Sequence, residues 1–136
     1  MSITLIALEK DLFFAVKIRD TLRHHDMQTS VVRTLAAFEE GLTASPAPDV
    51  AVVDIATRGV DWEEAIRAAR SQQVPVLAFG SHMDLEARAK ALQAGALKVV
   101  ANSKFASDMP GLLTRLLNTP TDQTSVDVEA DSENEE

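Results

Sequence analysis

The chain has no cysteine and no tyrosine, and its aromatic content of 4% comes from five phenylalanines and one tryptophan. Without cysteine there is no disulfide framework, no thiolate metal site and no thiol nucleophile, which fits a reducing cytoplasm. So few aromatic rings leave little to stack a flavin or a base. No glycine-rich phosphate loop follows the first apolar run, and neither a Ser/His/Asp arrangement nor zinc-ligand spacing occurs. The longest apolar stretches, such as Ile3 to Leu8 and Val50 to Val53, are far too short to span a bilayer. Met1-Ser2 is not followed by a basic region and a long apolar segment, so no export signal is visible. These absences predict a cytoplasmic protein with no membrane partner. What is present is 136 residues at 46% apolar content, enough for one domain with a real core.

The formal net charge of −8 is unevenly spread. From Asn118 onward there are seven acids (Asp122, Asp127, Glu129, Asp131, Glu133, Glu135, Glu136) and no Lys or Arg. Residues 1–117 therefore hold 14 acids against 13 bases, a net of −1, with no basic stripe for a phosphate backbone. Nucleic acid is not an expected partner. Residues 118–136 contain two valines and no aromatics, too little apolar surface to offset ordering entropy, and read as a disordered acidic tail. Such a tail serves either solubility or contact with a basic partner.

Five strand and helix signals alternate over residues 3–117. Ile3 to Leu8 is a continuous apolar run of the kind buried on both faces of a sheet, and Phe14, Ala15, Ile18 and Leu22 follow at helical spacing. Gln28 to Arg33 is β-branched enough for a second strand, and Leu35 to Leu42 reads as a helix capped by Thr34. Val50 to Val53 makes the third strand; Asp61 caps a helix carrying Trp62, Ala65, Ile66 and Ala69 on its buried side. Val74 to Phe79, then Asp84 to Ala94 with Gly95 as its left-handed end, make the fourth pair. Leu97 to Ala101 and Phe105 to Leu117 make the fifth, with Pro110 required in the first turn of a regular helix. This alternation predicts an α/β domain with a parallel sheet covered on both faces.

Asp54 ends the third strand, where open α/β sheets place their ligand crevice. Together with five βα units, Val74-Pro-Val-Leu77 in strand four, and Gln93-Ala-Gly-Ala96 before strand five, it resembles the receiver domain of bacterial response regulators. The loop from Asp54 to Trp62, with Gly59 and Asp61, has the matching length. The resemblance covers residues 3–117 and implies a flavodoxin-like, doubly wound (βα)5 sheet of order 2-1-3-4-5. It also implies that Asp54 is the phosphoacceptor.

The resemblance further implies an acid pair after strand one, a hydroxyl after strand four and a lysine after strand five, arranged around a magnesium ion. The acid pair falls on Glu9 and Lys10, so Glu9 and Asp54 remain as metal ligands beside a fixed ammonium. The hydroxyl position falls on Gly80, with Ser81 one residue late and turned to the opposite face; the lysine position falls on Asn102, with Lys104 two residues on. Three altered groups of five imply a degenerate, or pseudo-, receiver, in which Lys10 is expected to pair with Asp54 in place of the metal. Magnesium is the one cofactor implied, and this pairing would oppose it.

The implied function is a non-enzymatic signalling module of phosphorelay type. Its partner would be a histidine kinase or a downstream protein, and its own oligomeric state, a homodimer included, stays open. The family's usual contact face maps onto Arg88, Leu92, Lys98, Val99 and Lys104. His24 and His25 read as the exposed end of helix one, His82 as a loop residue on the crevice side, and Trp62 as a helix anchor. A small-ligand binder or enzyme on the same scaffold is the alternative, since fold does not fix function.

Overall fold

A computed structural model describes residues 2–118. The acidic tail beyond Asn118 lies outside the described residues. The elements run β1 (Ile3–Leu8), α1 (Leu12–Arg23), β2 (Met27–Val32), α2 (Leu35–Leu42), β3 (Val50–Asp54), α3 (Trp62–Ser71), β4 (Val76–Gly80), α4 (Leu85–Ala94), β5 (Lys98–Ala101) and α5 (Asn102–Asn118). All four strand pairings are parallel, and the sheet order is β2-β1-β3-β4-β5. This is the flavodoxin-like order implied by the sequence.

The pleat sorts the strands' side chains between two cores. Ile6, Leu8, Ala51, Val53, Val76, Ala78 and Val99 pack with Phe38, Leu42, Ile66 and Ala91 of α2, α3 and α4. Leu5, Ala7, Val50, Val52, Leu77, Phe79 and Val100 pack on the other face with Ile18, Leu22, Phe105, Leu112 and Leu116 of α1 and α5. Four helices start on a side-chain cap: Asp11, Thr34, Asp61 and Asp84 each accept from the backbone N–H three residues on. Gly95, at φ 122°, ends α4 in a conformation that disfavours any side chain.

Strand five starts at Lys98 rather than Leu97, and strand four at Val76, after Pro75. The fifth helix departs most from expectation. It begins at Asn102 and breaks at Asp108 (φ −145°, ψ 40°), so Pro110 falls in the first turn of its second segment. A proline in an unbroken helix would collide with the preceding turn, and the break removes that collision. Among the described residues no helix is long and apolar enough to cross a membrane.

Candidate functional site

Because every strand is parallel, the ends of β1, β3, β4 and β5 share one rim of the sheet, and the residues just beyond them meet there. Glu9 continues β1, its N–H donating to the Val32 carbonyl, and its side chain is 1% exposed. Asp54 is the last residue of β3, half-buried, with Oδ1 accepting from the Ala56 N–H at 2.8 Å. Glu9, Asp11, Phe14, Asp54, Ala56, Phe79 and Asn102 line one cleft of about 250 Å³. Its apolar wall is an aromatic cluster in which Phe79 stacks on Phe105 at 4.3 Å and Phe14 tilts against both.

The Glu9 carboxyl lies within hydrogen-bonding reach of Asp54, while its Oε2 accepts from the Asp11 N–H at 3.1 Å. Its Oε1 is buried with no hydrogen-bond donor. Burial first, then the Asp54 side chain, then the charges of Asp54 and Asp11 push the Glu9 pKa up from 4.5 to about 8; the Asp11 N–H opposes this. A proton on Glu9 resolves the orphan, because the carboxyl then donates to the carboxylate beside it.

Lys10 does not pair with Asp54. Its ammonium donates to the Arg58 carbonyl at 3.1 Å, while its own carbonyl accepts from Arg33. A long flexible side chain finds the nearer carbonyl of the β3–α3 loop, so the expected replacement of metal charge by Lys10 is corrected. Gly80 is buried, and a Cβ there would sit 2.6 Å from Ile55 Cγ1, so no hydroxyl-bearing side chain fits without displacing Ile55. Ser81 is exposed and turned away, its Oγ accepting from the Met83 N–H at 3.1 Å. Asn102 does line the cleft, whereas Lys104 is half-buried in the first turn of α5 and does not.

The contact face assigned by resemblance is mostly interior. Val99 is fully buried, and Arg88 and Lys98 are nearly so, with Arg88 Nη2 donating to the Val99 carbonyl at 3.3 Å. Leu92 and Lys104 are half-buried. Asp11 caps α1 and also lines the cleft, because a cap residue stands just outside the helix at the rim. Leu12, Phe13 and Val16 are 60%, 91% and 53% exposed. The signal for them was present: they are the apolar residues of α1 that fall off its buried stripe. His24 and His25 are exposed at the end of α1, and His82 is exposed beyond β4. Trp62 packs half-buried against the core of α2, α3 and α4.

Among the described residues no group of three or more His, Cys, Asp or Glu side chains is arranged to hold a metal. Glu9 and Asp54 alone would hold a divalent cation, and the donorless Glu9 Oε1 fits one, as hard cations take one or two carboxylates and complete their shell with water.

No family model matches the chain, and no curated protein matches it in sequence. Solved structures do match in shape. The response regulator domain of Thermotoga maritima CheB is 16% identical, with TM-score 0.74 over 88% of this chain and 99% of its own. The receiver domain of the Pseudomonas aeruginosa sensor histidine kinase PA1611, solved with magnesium in its active-site cleft, is 18% identical at TM-score 0.74, covering 88% and 100%. Vibrio cholerae CheY4, a chemotaxis response regulator, is 16% identical at 0.73, covering 85% and 99%. Five parallel strands in the order β2-β1-β3-β4-β5, helices on both faces and two carboxylates at the carboxyl rim give this chain the fold of the response regulator receiver domains.

Proposed function

We propose that the chain is a receiver-like signalling module of the cytoplasm. It works through contacts with a histidine kinase or a downstream protein and performs no catalysis on a small substrate. The observation that carries this reading is the carboxyl pair at the rim, with Glu9 and Asp54 within hydrogen-bonding reach in an open cleft. Asp54 is the residue through which a phosphoryl input would enter, since it is the half-buried member and Glu9 is closed off.

The lining resists that input. It holds three acids and no cationic side chain, so a phosphoryl group on Asp54 would lie beside Glu9 and Asp11 without a compensating charge. A magnesium ion bound between Glu9 and Asp54 would supply that charge. Glu9 must first give up its proton, which near neutral pH it retains. The module is accordingly a weak phosphoacceptor whose resting form is the protonated pair.

Exposure to a small phosphodonor with magnesium, followed by intact mass, tests this. The wild-type chain stays mostly at its unmodified mass. The double variant Lys10→Asp with Asn102→Lys, which returns an acid and a cation to the rim, gains phosphoryl mass that Asp54→Asn abolishes. Near-complete labelling of the wild type would overturn the weak-acceptor reading. A restored variant that stays unlabelled would remove Asp54 from the acceptor role.

A further inference from the structure

Strand β2 is the last strand on its side of the sheet, and no described strand lies beyond it. Its ladder with β1 fixes which of its backbone groups are already used. The Asp26 carbonyl accepts from the Ile3 N–H and the Val32 carbonyl from the Glu9 N–H, so the even-numbered residues turn their N–H and C=O groups toward β1. Met27, Thr29 and Val31 therefore turn theirs outward, along a free edge of six residues in unbroken register. Open sheets guard such an edge with a charge, a proline or a bulge. Met27 to Val32 has none of the three. The opposite edge, β5, is four residues long.

The two faces beside this edge differ. Helix α2 packs on β1, where a Cβ on Gly41 would meet Ile6, and leaves Gln28 and Ser30 on the same face of β2 exposed. A groove of about 490 Å³ lies there, with Thr4, Gln28 and Ser30 on one side and Gly41, Ala44 and Pro46 on the other, and no charged side chain lines it. On the second face α1 packs against β2. Phe14 leans on Phe79 and Phe105, which turns its flank of α1 toward β4 and α5. Arg19, five residues on at about 100° per residue, stands on the opposite flank, beside β2. Arg33 follows the strand directly and spends Nη2 on the Lys10 carbonyl. Both arginines are exposed, and among the described residues neither has an acidic partner, whereas Arg23 has Asp20.

We propose that the β2 edge takes an extended acidic segment of another protein as a sixth strand. The segment's backbone pairs with Met27, Thr29 and Val31. Its side chains alternate, so one set, small or uncharged, enters the groove and the other, acidic, meets Arg19 and Arg33. Asp26 precedes the strand, so the acids belong opposite its middle and its Arg33 end. A second copy of this chain fits the edge less well, because pairing β2 with itself brings two α1 flanks together with like charges on both. The surface shares no residue with the Glu9–Asp54 cleft and does not depend on phosphoryl input there.

The test uses the isotope-labelled full chain and a capped hexapeptide of alternating Glu and Val. Saturable shifts are expected at the amides of Met27, Thr29 and Val31, with those of Asp54 and Asn102 unmoved. Arg19→Glu plus Arg33→Glu weakens binding about tenfold, the scale of two exposed ion pairs, and the alternating Lys and Val peptide does not bind. Strand pairing uses only every second backbone nitrogen of the peptide, so N-methylation at the Glu set or at the Val set abolishes binding while methylation at the other set spares it. Equal responses to the two methylated peptides, absence of binding, or shifts confined to the rim would overturn the proposal. So would edge amides that move with protein concentration before any peptide is added, the mark of a second copy. None of these readouts involves phosphorylation of Asp54, so failure here leaves the phosphodonor experiment to judge the signalling reading separately.

Discussion

At the scale of single residues, Glu9 and Gly80 decide what the cleft can do. Glu9 binds its proton more tightly in the fold than in the unfolded chain, since its pKa rises from 4.5 to about 8. Between those values the folded state holds a proton that the unfolded state has released, so folding stability falls as pH rises from about 4.5 through 8 and levels above it. The full effect is on the order of a few kcal/mol. Glu9→Gln, which keeps the donor and removes the titration, should flatten this slope and stabilise the protein at pH 8 relative to wild type, as measured by urea denaturation at several pH values. An unchanged slope in the variant would assign the pH dependence elsewhere. Gly80→Ser, which restores the hydroxyl the resemblance calls for, should cost about 1–3 kcal/mol through collision with Ile55. Ile55→Ala in the same chain should recover part of that loss beyond what the two single changes sum to. Strict additivity in this double-mutant cycle would mean that the collision is relieved elsewhere. The positions of Asp54 and Glu9 were legible in the sequence, because a strand end fixes where the backbone delivers a side chain. The direction of Lys10 was not, because four rotatable bonds let its ammonium reach a loop carbonyl that no local pattern reveals.

At the scale of elements, caps and periodicity made all ten helices and strands readable, and the errors lie where tertiary packing overrides them. Asp84 illustrates the readable part: its Oδ1 accepts from the Ala87 N–H at 3.0 Å and fixes where α4 begins. Asp84→Ala should cost about 1 kcal/mol and Asp84→Asn only a few tenths, in equilibrium unfolding. Equal losses for the two variants would show that charge rather than the cap is what matters there. β5 shows the unreadable part. It is an edge strand, and the resemblance places its Lys98 and Val99 on a contact face, yet both are buried, Val99 within the core of α2, α3 and α4 with Arg88 donating to its carbonyl. α5 shows another: Asp108 interrupts the helix two residues before Pro110, and the side chain of Asp108 folds over Gly111, where any larger residue would meet it.

At the scale of the whole molecule, parallel strand direction gathers Glu9, Asp11, Asp54 and Asn102 at one rim. Residues 1–117 are nearly neutral, so the excess negative charge belongs to the terminal segment. The sole indole of the protein has an unplanned use in this layout. Trp62 is the first residue of α3, eight positions after Asp54 and joined to it by the loop whose carbonyl holds Lys10, with its ring against the core. With no tyrosine to contribute, ultraviolet emission from this one ring is a native optical probe of that loop, and ligand or proton binding at the rim can be followed in the unlabelled protein.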